Sequence, residues 1–275
     1  MTMTKKSEEP IQRPMIGIFD SGVGGVTVAD AIYHVLPDED VVYLGDTARV
    51  PYGNKSPATV TRFTQDCTRY LMQHFPVKLM VIACNTASAA ALPNLGDIGV
   101  PVLGVIEPGA KAAAAASRKR RVGVIGTRTT IASGVYPAAI KRIAPDIATF
   151  GVACPLFVPL AEEGWGETEV ARAAAERYLA GLRDADVDVI VLGCTHYPIL
   201  KRTIQKTVGD GIKLVDSAEE TAAAARWMLH QRSELNPTGG VARRRYLLTD
   251  EPGEFLNVAR RFLHDEGVVA EKVDV

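Results

Sequence analysis

Residues 79–92 read LMVIACNTASAAAL, and this stretch decides the fold of the chain. An apolar run ends at Cys84, a polar Asn-Thr pair follows, and an alanine-rich segment typical of a helix comes next. This order predicts a buried parallel strand that ends in a turn and passes directly into a helix. Open α/β sheets bind their ligands outside the carboxyl ends of such strands. Cys84 therefore lies where a reactive group is expected.

The same order of strand and helix recurs along the chain. Apolar runs at residues 15–19 and 187–192 predict further strands, and each is followed by small polar residues and then by helix-forming residues. Alternating strands and helices predict an α/β fold. Residues 156–168, LFVPLAEEGWGET, show neither pattern and predict an irregular segment that brings Glu162 and Glu163 near a cleft.

Three segments of the first half of the chain have counterparts in the second half, at offsets of 106 to 110 residues. The pairs are IGIFDS (16–21) with VGVIGT (122–127), VIACNT (81–86) with VLGCTH (191–196), and, less closely, LGVIEP (103–108) with KLVDSA (213–218). Such self-similarity predicts two similar α/β lobes. If a pseudo-twofold axis relates these lobes, Cys84 and Cys194 face each other from opposite sides of one cleft.

Charge and composition exclude several classes of partner. The 275 residues carry 31 Lys and Arg against 32 Asp and Glu, a formal net charge of −1. Nucleic acids and anionic membranes select basic surfaces, so we expect neither as a partner. No apolar run approaches the ~20 residues of a membrane helix, and the polar residues 1–13 predict a disordered tail without a secretory signal. We expect a cytoplasmic protein that acts on a small molecule.

The four cysteines divide into two kinds. Cys67, Cys84, Cys154 and Cys194 lie far apart with no CxxC pair, so neither a disulfide framework nor a metal site is expected. A lone cysteine at the end of a strand is usually a small buried apolar residue. The equivalent positions of Cys84 and Cys194 in the repeat favour catalysis for this pair. Cys67 and Cys154 have no such equivalence and are interpreted as structural.

Two thiols on opposite faces of a substrate suit racemisation or epimerisation, in which one side of a carbon loses a proton and the other gains one. A thiol titrates near pH ~8.5, so it alternates between base and acid at modest cost. Cys84 and Cys194 both precede predicted helix N-termini, which lower the pKa of a thiol. Asp20 and His196 are the candidate proton partners. For Asp20, helix capping is the alternative role.

Eight motifs in order resemble those of glutamate racemase, a cofactor-independent isomerase that supplies D-glutamate for peptidoglycan. The motifs are FDSGVGGVTV, GDTARVPYGNKS, ACNTASAAAL, GVIEPG, GVIGTRTTI, FVPLAEEG, LGCTHYPIL and LVDSAEETA. The resemblance runs from about Met15 to the C-terminal strand and helix. It implies an amino-acid racemase that uses no cofactor and forms a homodimer.

The resemblance also implies an architecture. Two flavodoxin-like lobes would be related by a pseudo-twofold axis, with the active site in the cleft between them. The first lobe is expected to comprise residues 14–110 together with residues 220–275, and the second lobe residues 111–219. The C-terminal segment would thus return to the first lobe.

The resemblance assigns roles to individual residues. Cys84 and Cys194 would be the two proton donors and acceptors, Cys84 acting on D-glutamate and Cys194 on L-glutamate. Asp20 would assist Cys84, and His196, supported by Glu162, would assist Cys194. The implied substrate contacts are Asp20, Ser21, Tyr52, Gly53, Asn85, Thr86, Thr127, Thr130, Thr195 and His196.

The chemistry sets a demand on the surroundings of the substrate. A carbanion formed without pyridoxal or a metal needs preorganised N–H and O–H donors in a closed, dry site. Among the cleft motifs only Arg49 and Lys55 offer positive charge for the substrate carboxylates. Without them, backbone amides at helix N-termini must bind these groups.

Two alternatives stay open on the sequence alone. Another two-cysteine racemase of the superfamily, acting on aspartate or a hydantoin, would use the same pair of thiols. A binding protein whose lobes close on a small acid without chemistry would share the fold. Turnover that depends on Cys84 and Cys194 would distinguish an enzyme from such a binding protein.

Overall fold

A computed structural model describes residues 13–275 of the chain. Of the tail predicted over residues 1–13, only Arg13 lies within the described residues. The strands of the described chain are β1 Met15–Asp20, β2 Val41–Gly45, β3 Val77–Ile82, β4 Val102–Gly104, β5 Arg121–Gly126, β6 Ala148–Ala153, β7 Val189–Gly193, β8 Lys213–Asp216, β9 Arg244–Leu248 and β10 Glu271–Lys272.

Helices alternate with these strands. They are α1 Val26–Val35, α2 Pro57–His74, α3 Asn85–Ala90, α4 Ile106–Ala116, α5 Arg128–Ala132, α6 Val135–Ile143, α7 Phe157–Glu162, α8 Glu169–Asp184, α9 Lys201–Val208, α10 Ser217–Gln231 and α11 Gly253–Leu263. Short 3₁₀ turns occupy Thr47–Arg49, Tyr52–Asn54, Leu92–Asn94 and Tyr197–Leu200. Within residues 13–275, none of these helices combines the length and apolar character needed to cross a bilayer.

The strands form two separate sheets in which every pair of neighbours runs parallel. The first sheet has the order β10-β9-β2-β1-β3-β4, and the second has the order β6-β5-β7-β8. The central order β2-β1-β3-β4 thus recurs four strands later along the chain. The predicted α/β fold with two similar lobes is confirmed, and the repeat seen in the sequence is a repeat of topology.

This topology decides where the sequence motifs meet. In each sheet the chain winds first to one side of the opening strand and then to the other, which leaves a crevice between β1 and β3 and between β5 and β7. Asp20 ends β1 and Cys84 follows β3, while Thr127 follows β5 and Cys194 follows β7. Each lobe therefore delivers its motif residues to its own crevice.

Burial explains which strands the sequence predicts. Strands β1, β2 and β7 are buried along their whole length, so their sequences are almost continuously apolar. Strand β6 lies at the edge of the second sheet and no residue of it is fully buried. Its mixed, glycine-containing sequence gives no comparable signal, and the sequence analysis missed this strand.

The expectation that residues 156–168 are irregular is wrong in part, because Phe157–Glu162 forms helix α7. Six residues are too few for a clear helical period, and Pro159 disguises the pattern. Proline is tolerated at this third helical position because the N–H there needs no partner within the helix. Phe157 is buried. Since Glu162 is the last residue of α7, this helix sets the position of its side chain.

Small side chains allow the helices between the lobes to pack closely. Helix α10 packs against α1 and α4. Ala29 of α1 and Ala222 and Ala225 of α10 have no solvent exposure, and they belong to one hydrophobic core. A larger side chain at such a contact would force the helices apart.

We predict that Ala222→Leu destabilises the protein by about 1–3 kcal/mol, because the added side chain overpacks the contact of α10. The matched control is Ala223→Leu, whose side chain lies on the exposed face of the same helix. Its effect should stay within about 0.5 kcal/mol. Urea unfolding measures both changes, and equal effects of the two substitutions would contradict this packing.

Candidate active site

Asp20 lies at the carboxyl end of β1 and is completely buried. The backbone N–H of Gly22 donates to its Oδ2 over 2.9 Å, whereas Oδ1 has no hydrogen-bond partner among the described residues. A Cβ on Gly25 would lie 2.3 Å from the Asp20 Cβ, so only glycine lets the chain close over this carboxyl group. Burial raises the pKa of Asp20, and the nearby His196 and backbone N–H groups oppose this rise.

Cys84 caps the N-terminus of α3, as its place in the sequence predicts. The N–H of Ala87 donates to its Sγ over 3.4 Å, and the thiol donates to the hydroxyl of Ser21 over 3.3 Å. Burial, reinforced by the charge of Asp20, raises the pKa of Cys84 to about 12 despite these two hydrogen bonds. The expectation of a lowered thiol pKa at this helix N-terminus is therefore wrong, because desolvation outweighs the helix.

Cys194 follows β7 in the second lobe and is joined to a chain of proton-carrying groups. Its Sγ lies 3.8 Å from Nδ1 of His196, and Nε2 of His196 lies 2.9 Å from Oε1 of Glu162. The expected helix N-terminus is absent here, because the 3₁₀ turn Tyr197–Leu200 separates Cys194 from α9. The neighbour of the sulfur is the imidazole of His196 instead of a helix N-terminus.

The protonation of His196 depends on its two neighbours. Burial by itself lowers the pKa of the imidazole, but the hydrogen bonds to Cys194 and Glu162 outweigh it and raise the pKa to about 10. The ring is therefore an imidazolium near neutral pH.

The two halves of the site meet across the lobes. The charge of Cys194 adds to the rise in the pKa of Cys84. The hydroxyl of Thr27 donates to the backbone carbonyl of Thr195 over 3.0 Å. A Cβ on Gly24 would come within 2.5 Å of the His196 ring, so the first lobe lies directly against it. Both thiols are buried, 5% and 6% exposed, and they lie near enough for the charge of one to act on the other.

Three threonine hydroxyls form a cluster across the same cleft. Thr86 Oγ1 lies 3.0 Å from Thr127 Oγ1 and 3.3 Å from Thr130 Oγ1, and the last two lie 3.0 Å apart. Thr86 comes from the first lobe and the other two from the second. Each hydroxyl can rotate its proton, so the cluster can donate to an anionic substrate group.

A loop of the first lobe reaches over to the second. The Tyr52 hydroxyl donates to the buried carboxylate of Asp46, and this hydrogen bond holds the loop in place. The carbonyl of Gly53 accepts a hydrogen bond of 2.8 Å from Thr129. A Cβ on Gly53 would lie 2.8 Å from the Cβ of Thr127, so glycine permits this approach. The structure thus brings Tyr52 and Gly53 to the edge of the cleft.

Arg49, one of the two basic residues suggested for the substrate carboxylates, contacts another part of the same loop. Arg49 donates from Nε to both oxygens of Asp46 over 2.7 and 2.8 Å, and its guanidinium lies over the ring of Phe63. It is engaged in holding the loop, so the suggestion that it binds substrate finds no support. The sequence analysis missed Asp46, although an acidic residue directly after the apolar run at 41–44 was a usable signal. It also missed the role of Thr129.

A comparison with protein families decides the classification. The profile of the family described as Asp/Glu/Hydantoin racemase matches residues 26–225. The chain belongs to this family. A glutamate racemase from Geobacter metallireducens is 56% identical over 249 residues, covering 90% of this chain and 92% of the relative. The resemblance to glutamate racemase is confirmed, and the chain is an isomerase of the amino-acid racemase class.

Solved structures agree with this family. A glutamate racemase isoform from Bacillus anthracis superposes with a TM-score of 0.91 at 37% identity and covers 95% of this chain and 98% of its own. A glutamate racemase from Francisella tularensis, in complex with D-glutamate, gives a TM-score of 0.88 at 37% identity, with coverage of 95% and 97%. The two-lobe fold of this racemase is therefore that of its relatives.

The raised pKa of His196 gives a testable pH dependence. Because the folded pKa of about 10 exceeds the ordinary value of ~6.5, the hydrogen bonds of the protonated imidazole to Cys194 and Glu162 stabilise the fold fully below pH ~6.5. This stabilisation is lost as the pH rises through about 10.

We predict that Glu162→Gln, which removes the neighbouring carboxylate, lowers the His196 pKa by about one pH unit or more. An NMR titration of the imidazole measures it.

The adjacent Glu163→Gln is the matched control, because Glu163 is exposed and lies next to the same helix. This substitution should leave the His196 titration in place. An unchanged His196 pKa in Glu162→Gln would show that the carboxylate does not hold the imidazolium.

Proposed function

We propose that this chain interconverts L-glutamate and D-glutamate without a cofactor, by proton transfer between the substrate Cα and the thiols of Cys84 and Cys194. One observation carries the proposal: two buried thiols lie at equivalent strand ends of two lobes that close on one cleft. The glutamate racemases among the relatives support the choice of glutamate.

The surroundings of the two thiols are unequal, and this inequality suggests a resting state. The raised pKa of Cys84 keeps its proton in place at neutral pH, so Cys84 is ready to act as an acid. Nδ1 of His196 lies 3.8 Å from the sulfur of Cys194, and we assign Cys194 the role of the base in this form. In the proposed assignment this form takes L-glutamate, and the opposite protonation state takes D-glutamate.

In the proposed reaction of L-glutamate, the Cys194 thiolate removes the α-proton while the Cys84 thiol delivers a proton to the other face of Cα. The products are D-glutamate, a thiol at Cys194 and a thiolate at Cys84. Asp20 lies beside Cys84, and its charge disfavours this thiolate, which therefore takes up a proton readily. The resting form is restored when the thiol of Cys194 loses its proton and the thiolate of Cys84 gains one.

Substrate binding must use polar groups of the cleft rather than a basic side chain. Asp20 Oδ1 is a buried acceptor and Asn85 Nδ2 a buried donor, and neither has a hydrogen-bond partner among the described residues. We assign the first to the substrate ammonium and the second to a carboxylate. Further proposed contacts are Ser21, Tyr52, Gly53, Thr86, Thr127, Thr130, Thr195 and His196. These donors would also stabilise the carbanion.

The proposal extends to the organisation and biological role of the enzyme. We assign residues 14–110 and 220–275 to the first lobe and residues 111–219 to the second, and the sheet membership of the strands supports this division. The proposed role is the supply of D-glutamate for peptidoglycan, as a cytoplasmic homodimer.

Aspartate and hydantoin racemases share the family description, so the substrate itself must be tested. A circular-dichroism assay follows the change in ellipticity when each amino acid is supplied in one enantiomeric form without added cofactor. We expect racemisation of L- and D-glutamate. Racemisation of aspartate alone would overturn the assignment of the substrate, and binding without racemisation would favour the non-catalytic alternative.

We predict that Cys84→Ser and Cys194→Ser each lower kcat/KM by about 10³-fold or more, because a serine hydroxyl is a far weaker acid and base partner than a thiol. Glutamate binding, measured by calorimetry, should persist in both variants since the cleft keeps its shape. Cys154→Ala is the control, as this buried thiol lies outside the pair. Full activity in either serine variant would refute the assignment of two bases.

A further inference from the structure

One hydrogen bond between the lobes involves the residue next to Cys84. The hydroxyl of Tyr136, on α6 of the second lobe, donates to Oδ1 of Asn85, the first residue of α3, over 2.7 Å. Both side chains are buried, with 1% and 2% exposure. Neither sequence motifs nor spacing singled out Tyr136, because its partner lies 51 residues away along the chain.

This hydrogen bond determines which way the Asn85 amide faces. The amide carries an acceptor oxygen and a donor NH₂ on diverging bonds, so the partner of one fixes the direction of the other. Burial raises the pKa of Tyr136, so its hydroxyl keeps the proton that it donates. The Asn85 Nδ2 is left buried without a hydrogen-bond partner among the described residues. A buried donor of this kind is costly unless a ligand satisfies it.

The ring of Tyr136 lies against the end of β7, directly before Cys194. A Cβ on Gly193, the residue before Cys194, would lie 3.2 Å from Cε2 of this ring, so glycine leaves the ring its room. Tyr136 therefore contacts the residue that follows Cys84 and the residue that precedes Cys194. It thus lies between the two segments that carry the thiols.

We propose that Tyr136 is a positioning residue that turns the Asn85 NH₂ group toward a carboxylate of the substrate. The inference rests on the proposed function, because glutamate offers carboxylate acceptors whereas its ammonium offers only donors. Since Tyr136 and Asn85 belong to different lobes, the amide takes this orientation only when the lobes are together. Closure of the cleft and preparation of the carboxylate site are then one event.

A double-mutant cycle tests this role through kcat/KM for glutamate. Asn85→Ala should lower kcat/KM by about 10²-fold, as expected for the loss of one preorganised donor. Tyr136→Phe keeps the ring and should lower it about tenfold, because the amide becomes free to turn. In the Asn85→Ala background, Tyr136→Phe should change kcat/KM by less than about twofold.

Tyr33→Phe is the matched control, because Tyr33 is also buried and its hydroxyl bonds to that of Tyr246 over 3.0 Å, away from the cleft. It should leave kcat/KM unchanged while losing a comparable hydrogen bond. Additive effects of Tyr136→Phe and Asn85→Ala would overturn the positioning role even though glutamate is racemised. A wild-type protein that fails to racemise glutamate would instead overturn the proposed function itself.

Discussion

The burial of Cys84 is the constraint on which the rest of the site depends. Removing a thiol from water raises its pKa to about 12, so this sulfur holds a proton where an ordinary cysteine would begin to lose it. The proposed two-base reaction needs one base and one acid at the same moment. The second thiol has a different neighbour, because Nδ1 of the buried His196 lies 3.8 Å from the sulfur of Cys194.

The repeated topology explains how two such different environments face one cleft. Both sheets have the same central strand order, so each lobe places a cysteine at the carboxyl end of its third strand. The lobes then diverge in what surrounds the sulfur. Asp20 and the N-terminus of α3 surround Cys84, whereas α7 supplies Glu162 to the His196 beside Cys194. One repeated frame thus places the two thiols in unequal surroundings.

The sequence predicted those parts of the site that depend on local pattern. Buried strands leave continuous apolar runs, and their ends located Asp20, Cys84 and Cys194. Contacts between distant segments leave no such trace, so the bonds from Tyr136 to Asn85 and from Thr129 to Gly53 emerged only from the structure. The pKa of Cys84 was predicted in the wrong direction because burial depth, which outweighs the helix N-terminus, is a property of the whole fold.

The fate of the α-hydrogen during a single direction of reaction in D₂O tests the central claim most directly. With L-glutamate carrying protium at Cα, two bases on opposite faces predict that D-glutamate contains deuterium from the first turnovers while the remaining L-glutamate keeps its protium. Mass spectrometry of the separated enantiomers measures this. Protium retained in the early D-glutamate, or deuterium entering L-glutamate as fast as D-glutamate forms, would contradict the account.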